Sequence, residues 1–245
     1  MSESAATPGP AYLDTIERLI RRLSTVEWPN LSAAADLLVA AIGSGHAVHA
    51  FGTGHSHMLA EELYYRAGGL VRVRPILFEG LMLHSSATLS TSLERLPGLA
   101  AALLDDHAVE AGDVVIVASN SGSNAVTSEI ASGIHARGAK VVAITSLTHA
   151  TSSAARDSGR PRLHELADVV IDNGGVVGDA AVEIDGFDQR VAPTSTVVGA
   201  AVINAVVAET VQRLVVAGHH PEVYTSSNLS GGDAANSRFG TSVGA

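Results

Sequence analysis

Apolar residues along this chain follow two different spacings. In short runs such as 114–118 every position is apolar, which is typical of strands buried on both faces of a sheet. Between these runs lie longer segments with apolar residues at every third or fourth position, which predict helices. Strands are predicted at 47–51, 71–77, 114–118, 141–145 and 169–172. Helices are predicted at 12–25, 31–42, 93–104, 124–137 and 194–217, with one more between residue 56 and about 67.

The alternation of strands and helices predicts parallel βαβ units and therefore an α/β fold. We expect a three-layer sandwich with a mainly parallel five-stranded sheet, preceded by a helical N-terminal extension. The predicted divisions are an N-terminal tail and helix at 1–34, an α/β domain at 35–218 and a C-terminal tail at 219–245. Residues 172–193 have the composition of a linker, and the C-terminal tail is either disordered or folded over the site.

The helix at 194–217 is apolar on most of its faces, so we expect it at the centre of the fold or at a subunit interface. The interface candidates are Val198, Ala201, Val202 and Ala205. On this basis we expect a homodimer.

The amino-acid composition argues against nucleic-acid-binding and membrane proteins. The chain has 245 residues, 46% of them hydrophobic, and a formal net charge of −10 with dispersed arginines. No basic stripe is available to follow a nucleic-acid backbone, so nucleic acid is not an expected partner. The longest apolar run, 197–208, is too short to span a bilayer, and residues 1–10 lack the pattern of a signal peptide. With no cysteine in the chain, we expect a soluble cytoplasmic protein without a membrane partner.

The strongest local pattern is a serine-rich loop that follows the apolar run 114–118 and precedes a predicted helix. Its small residues let the backbone approach a ligand, and the following helix presents free N–H groups, so the pattern predicts a phosphate site. An ordinary N-cap is the alternative interpretation. A second loop, at 52–56, is built in the same way after the strand at 47–51. In a parallel sheet both loops lie at the carboxyl edge, where ligands bind.

These paired loops resemble those of the sugar isomerase (SIS) domain family, and the resemblance covers residues 35–215. It implies a flavodoxin-like α/β sandwich that binds phosphosugars. The residues placed on the phosphate by this resemblance are Ser119, Asn120, Ser121, Gly122, Ser123 and Asn124. Those placed on the sugar are Gly52, Thr53, Gly54, His55 and Ser56. The chain departs from many members of the family at Asn124, where they have threonine.

The resemblance also suggests a catalytic carboxylate. The string Ala-Glu-Glu-Leu at 60–63 is similar to the one in phosphoheptose isomerases, where the second glutamate is catalytic, and this selects Glu62. The segment before it is about one helical turn shorter than in those isomerases. The alternative role for Glu62 is a surface ion pair with Arg66 at i,i+4 spacing, worth about 0.3 kcal/mol.

A second proton-handling group is predicted at His84, with a structural role as the alternative and His219 or His220 as other candidates. The eleven histidines show no spacing typical of a zinc site, so no metal is expected, and the predicted chemistry requires no cofactor.

Resemblance to short SIS proteins of amino-sugar phosphate metabolism makes a lyase our leading hypothesis. It would remove water across C2–C3 of N-acetylglucosamine 6-phosphate. An aldose–ketose isomerase of sugar phosphates is the second hypothesis, since both reactions begin with removal of a proton beside a carbonyl. A non-catalytic phosphosugar sensor is the third.

Overall fold

The computed structural model describes residues 7–239. Its α-helices are α1 (Pro8–Thr25), α2 (Trp28–Gly43), α3 (His57–Leu63), α4 (Ala87–Leu93), α5 (Leu99–Asp106), α6 (Ala125–Ala136), α7 (Leu147–Ala150), α8 (Leu163–Leu166), α9 (Ser195–Val216) and α10 (Gly232–Ser237). Its strands are β1 (Val48–Gly52), β2 (Val73–Pro75), β3 (Val114–Ala118), β4 (Lys140–Thr145), β5 (Val169–Asp172), β6 (Ala180–Ile184) and β7 (Phe187–Pro193). Short 3₁₀ turns lie at Gly54–Ser56 and Glu79–Leu81.

Five strands form one parallel sheet in the order β2-β1-β3-β4-β5, the strand order of flavodoxin-like folds. Its two faces carry separate hydrophobic clusters. Along β3, Val114 and Ile116 pack with α1, α2, α3 and α9, whereas Val115 and Val117 pack with α5 and α6. The predicted three-layer α/β sandwich with a five-stranded parallel sheet is therefore confirmed.

The N-terminal helices belong to the same core as the sheet. Leu23 of α1 and Leu31 of α2 are buried in the cluster that contains β1 and α9. A partly buried ion pair also ties this region to the end of β5, because Arg22 Nη2 donates to Asp172 Oδ2 at 2.8 Å. The predicted division between residues 34 and 35 falls inside α2, and both N-terminal helices pack on the sheet.

Two predicted elements are shorter in the structure. The strand expected at 71–77 is limited to Val73–Pro75. The helix expected to reach residue 67 ends at Leu63, and Tyr65 beyond it has a left-handed φ of 41°. That conformation, unusual for a residue with a side chain, turns the chain away from the helix axis.

Two other predictions are wrong, one because of a break at Pro97–Gly98 and the other because of an exposed hairpin. The helix expected at 93–104 begins only at Leu99, as α5, because Pro97 and Gly98, whose φ is 92°, separate it from α4, which ends at Leu93 and was not predicted. Residues 172–193 are not a linker, because β6 and β7 pair there as an antiparallel hairpin. The exposed residues of β7 gave no apolar strand pattern that could have predicted this pairing.

Helix α9 lies centrally and packs against α2 and α3. Within residues 7–239 it is the one helix long and apolar enough to span a membrane, but eight of its residues are buried in the fold, as in a core helix. Val198 and Val202 are among them, at 1% and 0% exposed, so they are not available as interface residues. Ala201 and Ala205 are partly buried.

A buried histidine should make stability depend on pH. His49 in β1 is fully buried, its Nε2 lies 3.1 Å from Asp113 Oδ2, and burial lowers its pKa despite that carboxylate. Below about pH 6.5 the imidazole of residue 49 binds a proton in the unfolded chain but not in the folded chain. Protonation therefore favours the unfolded state, and the free energy of unfolding falls as the pH falls. We expect the free energy of unfolding of the wild type to fall more steeply from pH 8 to pH 5 than that of His49→Gln in urea titrations.

The matched control is His220→Gln, because His220 is exposed. Its pH profile should run parallel to that of the wild type. If the profile of His49→Gln also runs parallel to the wild type, His49 is not the source of the dependence.

Candidate functional site

The two predicted loops lie side by side at the carboxyl edge of the sheet. Strands β1 and β3 are neighbours in register, with Gly52 opposite Ala118, so the residues that follow them share one end. A cavity of about 280 Å³ opens there. It is lined by Thr53, His55, Ser56, Glu94, Ser119, Asn120, Ser121, Asn124, His149, Gly178, Asp179 and Ser195.

The serine-rich loop 119–124 is held in shape by its own hydrogen bonds. Ser119 Oγ accepts the N–H of Gly122 at 3.1 Å, and Ser123 Oγ donates to Ser121 Oγ at 3.3 Å. Gly122 has a φ of 62°, and a Cβ there would lie 3.0 Å from Leu163 Cβ, so the position favours glycine. Gly122 and Ser123 are buried and support the loop from behind, while the other four residues of 119–124 line the cavity.

Asn124 completes this loop as the extended residue before α6, with φ −72° and ψ 150°. Among the first-turn N–H groups of this 12-residue helix, that of Val126 donates to the carbonyl oxygen of Glu94, whereas those of Ala125 and Thr127 have no partner within the helix. They add a positive dipole end to the hydroxyls of the loop, an arrangement that suits a phosphate group.

The first loop contributes Thr53, His55 and Ser56 to the cavity wall. It closes tightly, because a Cβ on Gly52 would overlap the backbone oxygen of Ser56. Gly54 adopts a φ of 57° at the start of the 3₁₀ turn that leads into α3. Gly52 and Gly54 therefore shape this loop rather than line the cavity.

Several residues of the cavity were not predicted from the sequence. Glu94 at the end of α4 accepts a hydrogen bond from Thr53 Oγ1 at 2.9 Å. His149 in α7 accepts the N–H of Gly178 on Nδ1 at 2.9 Å, which places the proton of the neutral ring on Nε2. No motif marks either residue; the fold brings both to the carboxyl edge of the sheet.

The start of α9 forms another wall of the cavity. Asp179, with a φ of 69°, accepts the N–H groups of Thr194 and Ser195 on Oδ1 and the hydroxyl of Ser195 on Oδ2. Its carboxylate therefore caps α9. Beside it, the buried Asn173 donates to Asn120 Oδ1 at 2.9 Å and links the serine-rich loop to the segment after β5.

Glu62 lies outside this cavity. Its Oε1 accepts a hydrogen bond from Asn204 at 2.8 Å and pairs with Arg66, which is the ion pair considered as its alternative role. It lines a separate cavity of about 420 Å³ together with Met58 and Glu61. The structure thus does not bring Glu62 together with the serine-rich loop of the same chain.

The predicted histidines also lie apart from the cavity. His84 is exposed in the segment before α4 and contributes nothing to the cavity wall. His219 and His220 are exposed beyond α9. A different histidine, His57 at the start of α3, is buried with its Nε2 3.4 Å from Glu61, and burial lowers its pKa. It too lies outside the cavity lining.

The described part of the C-terminal tail packs against the segment after α3. Val223 forms an antiparallel bridge with Leu70, and the ring of Tyr224 packs edge-on against Tyr65 at a centroid distance of 4.9 Å. None of residues 219–239 lines the cavity, so this part of the tail does not fold over it. Residues 240–245 of the predicted tail, like residues 1–6, lie outside the described residues.

The charges of the cavity are unusual for an anion site. Its wall contains two carboxylates and two histidines but neither lysine nor arginine, so an anion would be held by hydroxyls, amides and backbone N–H groups. Within residues 7–239 no group of three potential metal ligands is present.

The chain is similar in sequence to a known family of domains and to several bacterial proteins. A family model described as the SIS domain matches residues 11–146, which include most of α1 and all of α2. A UPF0309 protein of Geobacillus thermodenitrificans is 40% identical over 93% of this chain and 92% of its own length. A UPF0309 protein of Brucella anthropi is 42% identical over 91% of this chain and 90% of its own length.

Solved structures share the fold. A phosphoheptose isomerase from Francisella tularensis has a TM-score of 0.56 and 13% identity, covering 83% of this chain and 96% of that chain. The phosphoheptose isomerase GmhA from Neisseria gonorrhoeae has a TM-score of 0.53 and 17% identity, covering 82% and 94%. At these identities the likeness establishes the architecture.

The tight closure of the first loop can be tested by overpacking it. Gly52→Ala should destabilise the protein by about 1–3 kcal/mol, because the added methyl group overlaps the backbone of Ser56 and cannot be relieved by rotating a side chain. Chemical denaturation measures the effect. Gly9→Ala is the matched control, since a Cβ there has no neighbour within 4 Å and should leave stability equal or slightly higher. Equal stability of Gly52→Ala and the wild type would contradict the observed loop geometry.

Proposed function

Because this chain belongs to the SIS domain family, we propose that it is an enzyme that binds a sugar phosphate in the cavity between its two loops. The observation that carries the proposal is loop 119–124, which lines the cavity with Ser119, Ser121 and Asn124 and leads directly into the N-terminus of α6. Thr53, His55 and Ser56 line the cavity on the first loop, where they can bind the hydroxyl groups of the sugar. Sugar phosphates are charged and do not cross membranes freely, so the proposal places the protein in the cytoplasm.

The specific reaction that we propose is dehydration of N-acetylglucosamine 6-phosphate across C2–C3. In the open-chain form the C1 aldehyde acidifies the C2 proton, and a carboxylate of the site removes it. The C2–H and C3–O bonds break, a C2=C3 double bond forms and water leaves, with the proton passing to the departing hydroxyl. The phosphate contacts are remote from these carbons and supply binding energy that positions them.

Proton NMR in D₂O of N-acetylglucosamine 6-phosphate with the purified protein tests this reaction. We expect loss of the C2 proton signal and appearance of a vinylic proton. Unphosphorylated N-acetylglucosamine is the matched control and should react far more slowly, because it lacks the group bound by loop 119–124. A ketose without a vinylic signal would replace the lyase with an isomerase, and binding without any reaction would replace the enzyme with a sensor.

We also propose that the protein forms a homodimer through α1, α2 and α9. A groove between these helices is lined by the exposed side chains of Ile20 and Trp28 and by Ala201 and Ala205 of α9. Exposed apolar grooves of this kind are typical of protein interfaces. Light scattering should give twice the chain mass of 25.0 kDa, and Trp28→Glu should reduce it to that of the single chain. A wild-type protein with the mass of one chain would contradict the proposal.

A further inference from the structure

Two carboxylates line the cavity, those of Asp179 and Glu94, and the sequence suggested a third, Glu62, as the catalytic group. These three differ in the hydrogen bonds and ion pairs that their oxygens already make. Glu62 is bound to Arg66 and Asn204 outside the cavity. Asp179 lies in the cavity wall, but both of its oxygens accept hydrogen bonds from the start of α9. A carboxylate held in this way is a poor base, because protonation would forfeit those hydrogen bonds.

Glu94 is the third carboxylate, and it retains a free oxygen. Its Oε2 accepts the Thr53 hydroxyl at 2.9 Å, while within residues 7–239 no group donates to its Oε1 and no lysine or arginine pairs with it. The side chain is partly buried in the cavity wall. One oxygen is therefore fixed in direction, and the other is available to accept a proton.

The backbone holds Glu94 relative to both loops. Its carbonyl oxygen accepts the N–H of Val126 in the first turn of α6, and its own N–H donates to Ser90 within α4. Thr53, the side-chain partner, is buried in the first loop. Glu94 is thus anchored at the phosphate-side helix by its backbone and at the sugar-side loop by its carboxylate.

The histidines of the cavity do not offer an equivalent base. Nδ1 of His149 accepts the Gly178 N–H, so the neutral ring carries its proton on Nε2 and can donate a hydrogen bond but has no free lone pair. His55 is exposed at the rim of the cavity, without a partner among the described residues that would orient its ring.

We propose that Glu94 is the catalytic base that removes the C2 proton of the bound sugar phosphate, an inference that rests on the function proposed above. Oε1 takes the proton as the C2–H electrons form the double bond to C3, and the C3–O bond breaks. The same proton passes from Glu94 to the departing hydroxyl, which leaves as water and regenerates the carboxylate. His149 donates a hydrogen bond from Nε2 to a sugar oxygen.

The experiment compares variants in the rate of C2-proton loss from N-acetylglucosamine 6-phosphate in D₂O, with binding of the same compound measured by calorimetry. Glu94→Gln should lower kcat by about 10²–10⁴-fold, the usual contribution of a general base. Its Kd should stay within about threefold of the wild type, because the phosphate contacts are unchanged. Glu94→Asp keeps a carboxylate at shorter reach and should be intermediate. Glu110→Gln is the matched control, since Glu110 is exposed and precedes β3 at the opposite edge of the sheet.

Retention of wild-type kcat by Glu94→Gln would overturn the assignment. If Glu62→Gln lost its activity in the same assay, the role of the base would pass to Glu62. If Glu94→Gln fails to fold by circular dichroism, Glu94→Asp decides, and a kcat equal to the wild type then overturns the proposal. A wild-type protein that binds the sugar phosphate without proton loss, or does not bind it, contradicts the proposed function itself. If the wild type and Glu94→Gln are both active, only the role of Glu94 is contradicted.

Discussion

The in-register parallel pairing of β1 with β3 is the constraint on which the rest of the site depends. Adjacent strands lie about 4.8 Å apart, so the backbones that leave Gly52 and Ala118 must begin their loops as neighbours. Both strands are buried along their whole length, and alternate residues of β3 are fixed in two separate hydrophobic clusters. A slip of one residue would exchange these faces, so the core itself fixes the position of both loops.

The absence of lysine and arginine from the cavity wall has a chemical consequence. Glu94 lines the same cavity, and a lysine or arginine beside it would lower the pKa of its carboxyl and weaken it as a base. In the proposed complex, loop 119–124 would instead offer the phosphate hydroxyls and backbone N–H groups, which attract an anion without placing a cation beside Glu94. One site can thus bind a phosphate through uncharged donors and still keep the carboxylate of Glu94 without a positively charged partner.

Features that depend on neighbouring residues in the sequence could be predicted from the sequence. The apolar run of β3 and the small residues after it were sufficient to locate the strand, the loop and the start of α6. The sheet and its two loops follow from such segments. The break between α4 and α5 could have been predicted from Pro97 and Gly98, but the apolar spacing on either side favoured one helix.

Other features depend on contacts between distant segments. Glu94 meets Thr53 across 41 residues of sequence, and no spacing rule on a single helix indicates that contact. The string of residues 60–63 predicted a catalytic role for Glu62 by resemblance, whereas within this chain its carboxylate pairs with Arg66 outside the cavity. The β6–β7 hairpin was missed because β7 is almost wholly exposed and has no buried face to impose a pattern.

In the proposed complex, loop 119–124 holds the phosphate while the sugar extends toward Glu94. A crystal structure of the protein with N-acetylglucosamine 6-phosphate tests it most directly. We expect phosphate oxygens within hydrogen-bond distance of the Ser121 hydroxyl and of the N–H groups of Ala125 and Thr127 at the start of α6, with C2 of the sugar beside Glu94 Oε1. A phosphate bound elsewhere, such as the cavity that contains Glu62 and Arg66, would contradict it.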